Sequence, residues 1–426
     1  RKRATWAWAL WDWAEQPYPT IMQTFVFPVY LAGAVAAEGT NVDAQIGVAT
    51  AIAGILLAIT APVIGRRSDE TGKRKFWVVV NTYLLVAIMV ASFFVEPKPE
   101  FLLAGLVLYG LGSVIQESAF INYYAMLKSV TTEKNIGKVS GYAWGLGYVG
   151  GILLLAIALF GFILPGPATE VDNGFSIRVV FLFAAAWTAI FALPLVFRVP
   201  EIPASASYKR ESVVDSYKSL WHQLVLLRRQ APETFKFLVS SAVYRDGLAG
   251  VFTFGAVLGT LAFGFSQTEI IIFGLAANLV AGLGAALGGL LDDKLGSRTV
   301  ILASLIGLIF AGSAVFFLAD FGQTTYWIFG LLLCLFVGPA QASSRTFVSR
   351  FTPKGREGEV FGLYQTTGRA ISFLSGTLWT VSISVAHTAF GVEDATVYGI
   401  WGLILILAVG AWLLSRVHPK PAVLDS

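Results

Sequence analysis

Seven charged side chains lie inside segments of this chain that are otherwise strongly apolar. A charge at the centre of a bilayer costs at least about 2.5 to 3.5 kcal/mol, so such groups pair with each other or line a cavity. Arginine binds carboxylate or phosphate groups through two parallel hydrogen bonds, and a buried carboxyl group can exchange a proton near neutral pH. The set predicts anion binding and proton exchange, and consists of Asp12, Glu15, Glu117, Arg245, Asp246, Arg345 and Arg369.

Four of these groups lie nine to eleven residues from the cytoplasmic ends of their predicted helices. At the helical rise this is roughly 14 to 17 Å, close to the bilayer midplane. We expect Arg245 and Arg369 to bind an anionic group of a substrate, and Glu117 or Glu15 to carry a proton. Asp246 is a further candidate for proton coupling.

Neutral polar and aromatic side chains extend this set. Gln341 and Gln365 each lie four residues before an arginine, so each pair shares a helix face. Asn122 follows Glu117 by five residues. We expect these three residues to contact the substrate, together with three aromatic residues for which simple packing is the alternative: Trp144, Tyr148 and Tyr364.

The elements that position these groups are membrane helices. Of the 426 residues, 56% are hydrophobic and 13% are charged, and the mean hydropathy is +0.71, far from the composition of a soluble domain. The apolar blocks have the length of a helix that crosses a bilayer and lack the alternation of barrel strands. The fold class predicted is therefore an all-α integral membrane protein.

Charged or Pro/Gly-rich breaks divide the chain into twelve spans. They run near residues 5–35, 45–65, 75–95, 101–128, 138–164, 177–198, 235–262, 268–291, 299–319, 325–349, 358–386 and 396–415. The one long polar connection separates two six-helix bundles, at 1–198 and 235–426, by a linker at 199–234. Pro17, Pro19 and Pro28 remove backbone donors and predict kinks in the first span.

Basic residues predict the orientation. Of the 30 Lys and Arg residues, only Lys98 and Arg178, the latter at the first turn of the sixth span, fall on the side opposite the amino terminus. The positive-inside rule then places both termini and the linker in the cytoplasm, as expected of a multi-pass cell-membrane protein. The net charge of +4 reflects this topology and gives no reason to expect a nucleic-acid partner.

Two matches indicate that the halves are repeats. GRRSDETGKR from Gly65 matches GLLDDKLGSR from Gly289, and GKVSGYAWGLG from Gly137 matches GEVFGLYQTTG from Gly358. Glycines permit close helix approach, while an Asp near an Arg can form an inter-helix ion pair that breaks when the halves move. We therefore predict gate or structural roles for Asp12, Arg345, Gly65, Asp69, Gly72, Arg74, Gly289, Asp293, Gly296 and Arg298.

The Gly-x-x-x-Asp-x-x-Gly-x-Arg segment in both halves resembles the signature loop of the major facilitator superfamily. WALWDWAEQPYPT, from Trp8, is similar to the first-helix motif W-A-L-Y-D-W-A-N-S of the vacuolar-effluxer-like branch, an autophagy-related group of amino-acid exporters. GPAQASSR (338–345) and FTPKGREGEVFGLYQTTGRAISF (351–373) resemble its tenth and eleventh helices. Glu15 and Gln16 depart from the branch, which has Asn and Ser there.

The resemblance implies a secondary transporter that moves a small organic solute by alternating access. Arginines with carboxylates suit an amino acid, another zwitterion or an organic anion, with efflux coupled to protons. A drug or lipid exporter of the same fold is the alternative, and a non-transporting receptor or scaffold is a third possibility. No nucleotide-binding glycine loop, GxSxG motif or Cys/His metal spacing is present, so we predict no enzyme activity, cofactor or metal. We expect a monomer in the lipid bilayer.

Overall fold

The structure is a computed structural model that describes residues 2–167, 169–201, 203–204, 215, 222, 224–229 and 231–419. Over these residues the ordered secondary structure is helical. Most of the predicted linker and the end of the tail lie outside the described residues. Within the described part, ten helical stretches are long and apolar enough to cross a membrane. The predicted first span is also helical, with a break at Glu15 and Gln16, and the predicted seventh span is helical without a break from Pro232 to Ala262.

Thirteen principal helices carry the fold. They are α1 Lys2–Ala14, α2 Val42–Thr71, α3 Arg74–Ser92, α4 Leu102–Ala125, α5 Ile136–Ala158, α6 Phe175–Phe191, α7 Pro232–Val257, α8 Gln267–Leu295, α9 Ser297–Phe317, α10 Leu331–Phe351, α11 Glu357–Ala370, α12 Leu374–Phe390 and α13 Gly399–Ser415. The predicted eleventh span is thus two helices, α11 and α12, separated by a turn at residues 371–373.

Shorter helical segments extend or connect these helices. Short α-helical segments are Phe27–Tyr30, Leu127–Val130, Thr169–Asp172, Leu193–Arg198 and Gln323–Thr325. Segments of π-helix are Tyr18–Phe25, Leu31–Val35, Leu159–Ile163, Leu258–Ala262 and Tyr326–Gly330. Turns of 3₁₀-helix are Pro99–Phe101, Ala319–Phe321 and Thr396–Tyr398.

The first span is interrupted where its prolines predict. Helix α1 ends at Ala14, and π-helical turns follow Pro17. Proline at position 17 has no N–H to donate to the carbonyl group of Trp13, four residues earlier. The indole Nε1 of Trp187 on α6 donates to that carbonyl oxygen instead, at 3.1 Å. The break is therefore stabilised by a side chain of another helix.

Described separately, the chain forms two compact units. The first comprises the described residues of Arg1–Val130, Leu146–Arg210 and Gly355–Gly362. The second comprises those of Thr131–Gly145, Glu211–Lys354 and Leu363–Ser426. The start of α11 thus belongs to the unit that contains α1 to α4, and the start of α5 belongs to the unit that contains α7 to α10.

Aromatic residues fill the core of the first unit. Trp8 and Trp11 are buried, and Trp8 stacks on Tyr123 of α4 with ring centroids 4.3 Å apart. Tyr123 accepts the indole hydrogen bond of Trp8 at its carbonyl oxygen and donates its hydroxyl to the Trp8 carbonyl. Trp6, in contrast, is exposed. Trp8 therefore joins α1 to α4 through both a ring contact and hydrogen bonds.

Candidate functional site

Glycines from both repeat matches meet at a close helix crossing within the first unit. A methyl group added at Gly65 of α2 would overlap the backbone carbonyl of Gly358 of α11, and one at Gly358 would overlap the carbonyl of Gly65. One turn along, Gly362 lies against Ala61 and Pro62 in the same way. Small residues at this spacing let two membrane helices approach closely. The repeated glycines therefore have a packing role.

Asp69 lies beside this crossing and caps the amino terminus of α11. Its carboxylate accepts hydrogen bonds from the backbone N–H groups of Gly358 and Glu359, each at 2.9 Å. Arg74 donates to the same carboxylate and also to Glu357 at 2.8 Å. A carboxylate at a helix amino terminus satisfies unpaired N–H groups and interacts favourably with the helix dipole. Asp69 thus holds α11 as well as forming the expected ion pair.

The second unit contains the same arrangement on other helices. Asp293 of α8 accepts hydrogen bonds from the N–H groups of Gly137 and Lys138 at the start of α5, each at 2.8 Å. A methyl group at Gly289 of α8 would overlap the carbonyl of Gly137. The basic partner is Arg350, which pairs with Asp292 and, at 2.9 Å, with Asp293.

Arg298 was predicted to have a gate or structural role, and it is Arg350 rather than Arg298 that forms the ion pair with Asp293. Arg298 matches Arg74 in sequence, but its guanidinium donates to the backbone carbonyls of Leu414 and Ser415 at the end of α13, at 3.4 and 2.6 Å. It satisfies carbonyl groups that a helix end leaves unpaired. The signature segments are also more helical than predicted, because α2 continues to Thr71 and α8 to Leu295.

Gly72 and Gly296 end these two helices in conformations that favour glycine. Their φ angles are +64° and +84°. An L-amino acid with a side chain is strained in this region, whereas glycine is not. The two glycines permit the sharp exits into α3 and α9.

Arg345 is a buried strut of the second unit. Its Nε donates to the hydroxyl of Ser140 on α5 at 3.0 Å, and its Nη2 donates to the Ser140 carbonyl at 2.8 Å. The guanidinium also lies 4.8 Å from the ring centroid of Trp144. The Trp144 indole donates to Gln341, one turn before Arg345, at 3.1 Å. These contacts join α10 to the start of α5, which fits the structural role predicted for Arg345.

Arg245, Tyr364 and Gln365 form a second cluster in this unit. Arg245 of α7 donates through Nη1 to the Tyr364 carbonyl and through Nη2 to the Gln365 side-chain oxygen, both at 2.9 Å. Its guanidinium lies 3.7 Å from the Tyr364 ring centroid. Gly368 leaves room for it, since an added methyl group would lie 3.2 Å from Nη1. The structure thus brings together three residues predicted to bind substrate.

Asp246 fixes the start of α12. Its carboxylate accepts the backbone N–H of Ser375 at 2.6 Å and the Ser375 hydroxyl at 3.1 Å. Both oxygens therefore have donors at the break between α11 and α12. This arrangement favours a structural role for Asp246 over the role in proton coupling predicted from the sequence.

Glu15 lies in the first unit, at the interruption of the first span. Its carboxylate is 4% exposed and accepts hydrogen bonds from the side-chain amides of Gln16, at 2.8 Å, and of Gln116 on α4. Sequence reasoning did not select Gln116, which is neutral and precedes the more conspicuous Glu117. The interruption places the Glu15 carboxylate against two neutral amides, those of Gln16 and Gln116.

The remaining predicted residues occupy less informative positions. Asn122 is fully buried in α4, while Glu117 of the same helix is half-buried. Asp12 is buried in α1, whereas Tyr148 of α5 and Arg369 of α11 are half-buried. Their roles stay predictions.

An apolar groove lies apart from these polar clusters. It encloses about 580 Å³ between α2 and α4 of the first unit. Its wall runs from Ala44 to Leu56 on α2 and from Leu103 to Val114 on α4. None of the predicted site residues belongs to its lining.

Comparison with known proteins identifies the family. A model of the family described as vacuole effluxer Atg22 like matches residues 128–417, which is more than half of the chain. The chain belongs to this family. A Bacillus subtilis (strain 168) protein, the uncharacterized MFS-type transporter YxiO, is 28% identical to this Atg22-like chain over 421 residues. The alignment covers 96% of this chain and 94% of YxiO.

A fungal relative is more distant. Autophagy-related protein 22 of Yarrowia lipolytica (strain CLIB 122 / E 150) is 22% identical over 277 residues, which cover 59% of the Atg22-like chain. The match spans 46% of the fungal protein, so the chain corresponds to less than half of that relative's length.

Solved structures show the same fold. The proton:xylose symporter XylE bound to 6-bromo-6-deoxy-D-glucose aligns with a TM-score of 0.72 at 13% identity. The alignment covers 98% of the Atg22-like chain and 95% of XylE. The major facilitator fold predicted from the sequence is confirmed, and the Atg22-like chain is a multi-pass membrane transporter rather than an enzyme.

Proposed function

We propose that this transporter exports a small organic anion or zwitterion, such as an amino acid, and that protons drive the export. The observation that carries the substrate class is the setting of Arg245. Its guanidinium is held by a backbone carbonyl, an amide oxygen and an aromatic ring. Among the described residues no carboxylate pairs with it, so it can offer hydrogen bonds and charge to a carboxylate of the substrate.

Tyr364 supports this assignment. A guanidinium over an aromatic face is oriented as well as attracted, and the two hydrogen bonds of Arg245 fix its plane further. An arginine held in this way loses little side-chain entropy when a ligand binds. The half-buried Arg369 lies one turn beyond Gln365 on the same face of α11 and is the second candidate for the anionic group.

Glu15 is the proposed proton carrier. It is buried in the membrane, and its hydrogen bonds come from neutral amides. A carboxyl group in this setting can change its charge without disrupting an ion pair. Glu117, half-buried on α4, is the alternative carrier that the experiment has to separate from Glu15.

The two aspartate caps are proposed to work during alternating access. Asp69 and Asp293 each hold the amino terminus of a helix by two backbone hydrogen bonds. We propose that these caps form in one state of the transport cycle and open in the other. In this mechanism each repeat supplies one aspartate, Asp69 or Asp293, whose cap forms and opens during the cycle.

The test is transport by the full chain in proteoliposomes, over a panel of amino acids, organic anions and cationic drugs, with and without an imposed pH gradient. We expect uptake of an amino acid or organic anion only with the gradient, loss of gradient-driven accumulation in Glu15→Gln, and at least a tenfold higher KM in Arg245→Ala. Glu100→Gln, at an exposed position, is the matched control. Transport of cationic drugs alone would overturn the substrate class, and normal accumulation in Glu15→Gln would overturn the proton role.

A further inference from the structure

Gln116 presents an unusual amide beside Glu15. The side chain is 2% exposed, and its Nε2 donates to Oε2 of Glu15. Its own oxygen, Oε1, is buried and has no hydrogen-bond partner among the described residues. A buried acceptor without a donor costs about 1 to 3 kcal/mol. The nitrogen of the Gln116 amide therefore donates to the charged form of Glu15, while the oxygen of the same amide has no hydrogen bond.

Protonation of Glu15 reverses these requirements. A protonated carboxyl group gains an O–H donor, which needs an acceptor. The unpartnered oxygen belongs to the amide that already contacts Glu15 Oε2. Because the terminal torsion of a glutamine is broad and two-fold, a half-turn of the amide exchanges its nitrogen for its oxygen at one place.

We propose that Gln116 is a positioning residue that supports Glu15 in both protonation states by rotating its side-chain amide. With Glu15 charged, Gln116 Nε2 donates to the carboxylate. After a proton adds to Oε2, the new O–H donates to Gln116 Oε1, and the amide N–H turns away. The proton stays on Glu15 throughout, and no bond of Gln116 forms or breaks. This inference rests on the proton role proposed for Glu15.

Other groups around Glu15 stay in place in this proposal. Gln16 donates to Oε1 of Glu15 from the same chain segment, and its oxygen accepts a long hydrogen bond from Thr20 at 3.5 Å. The other ionisable groups that act on Glu15 are Asp12, three residues earlier, and Glu117 on α4. Both are carboxyl groups. The hydrogen bond that α4 gives to Glu15 therefore comes from the neutral amide of Gln116.

The test measures uptake by the full chain in proteoliposomes as a function of pH. Gln116→Met keeps the length of the side chain but removes both hydrogen-bonding groups. Both forms of Glu15 then lose a hydrogen bond, but the charge-assisted bond of the charged form is the stronger of the two. We therefore expect the pH of half-maximal uptake to move upward by about one unit while the substrate KM stays within about twofold. Gln23→Met is the matched control, because Gln23 donates to Ser113 of the same helix α4 at 2.9 Å without touching Glu15.

A second variant gives a result that does not depend on whether Gln116→Met folds. In Glu15→Gln/Gln116→Glu the carboxyl and amide groups exchange helices, and we expect part of the gradient-driven accumulation lost in Glu15→Gln to return. An infrared band of the protonated carboxyl group, assigned by its loss in Glu15→Gln, should shift to higher frequency in Gln116→Met.

The outcomes separate the two proposals. If Glu15→Gln keeps normal gradient-driven accumulation, the proton role proposed for Glu15 is wrong. If that variant loses accumulation but Gln116→Met keeps the original pH profile and infrared band, the role of Gln116 alone is overturned. Failure of the exchanged pair to restore any accumulation would also count against it.

Discussion

The carboxylate of Asp69 accepts a hydrogen bond from the backbone N–H of Gly358, at 2.9 Å, across a separation of 289 positions in the sequence. The bond exists because Gly65 and Gly358 let α2 and α11 approach until a helix amino terminus meets an acidic side chain. The backbone N–H of Gly137 donates to Asp293 in the same way, so each repeat contributes an aspartate that caps a helix. Helix contact and helix cap are therefore two parts of one structural element.

Asp69→Asn should destabilise the protein and slow transport. The amide retains one acceptor but leaves the buried Arg74 with Glu357 as its remaining acidic contact. We expect a loss on the order of 2 kcal/mol, which combines a weaker cap with a weaker buried ion pair. Thermal unfolding in detergent and the maximal uptake rate measure the two effects. Asp69→Glu retains the charge at a greater reach and should be less damaging, so an equal loss in both variants would contradict the charge argument.

Gly65→Ala should separate helix packing from helix propensity. The added methyl group overlaps the Gly358 carbonyl, so α2 and α11 must move apart. Gly54→Ala, on the same helix, is the control because its methyl group meets nothing within 4 Å. Alanine favours a helix over glycine by about 1 kcal/mol, so we expect Gly54→Ala to be neutral or stabilising. A melting temperature of Gly65→Ala at or above that of the control would refute the close-contact assignment.

Trp187→Phe should cost stability through the carbonyl group of Trp13. Without the indole N–H, this carbonyl has neither a side-chain donor nor a backbone donor at Pro17, and the cost is about 1 to 3 kcal/mol. In a Pro17→Ala background the alanine N–H can take over, so the same substitution should cost about 1 kcal/mol less. A double-mutant cycle on unfolding in detergent measures this coupling. Additive effects of the two substitutions would show that the carbonyl group is satisfied in another way.

Glu201→Ala should loosen the start of α3. Glu201 accepts hydrogen bonds from the backbone N–H groups of Lys75 and Phe76, at 2.7 and 3.0 Å. Loss of such a cap costs about 1 kcal/mol. Because Arg74 is the first residue of α3, we expect the Arg74–Asp69 contact to weaken as well. Hydrogen exchange at residues 74–78 measures the effect, and Glu201→Gln, which keeps an acceptor oxygen, should retain most of the protection. Equal protection in all three proteins would exclude a capping role.

The sequence predicted the helices and the repeats well, because both depend on local patterns. Span lengths follow from apolar blocks, and the glycines at 65, 289, 137 and 358 stand out by their regular offset. Arg245 and Gln365 were each predicted to contact the substrate, and the structure shows a hydrogen bond between them. The spans and the repeated glycines could be predicted because each depends on spacing along the chain.

Contacts that depend on helix rotation were not predicted. Gln116 faces Glu15 only because the break after Ala14 turns that residue toward α4, and nothing in the spacing of Gln116 shows this. Arg350 replaces Arg298 beside Asp293 because α10 reaches that carboxylate, whereas Arg298 turns toward the end of α13. The break between α11 and α12 lies at Ile371, Ser372 and Phe373, which include neither proline nor glycine.

The attachment of Asp246 to Ser375 has a mechanical consequence. Both carboxylate oxygens hold the first turn of α12, so this end is pinned to α7. Arg245, the residue before Asp246, holds Tyr364 and Gln365 of α11. Two adjacent residues of α7 therefore bind the helices on both sides of the turn at residues 371–373, so α7 acts as a splint across this break.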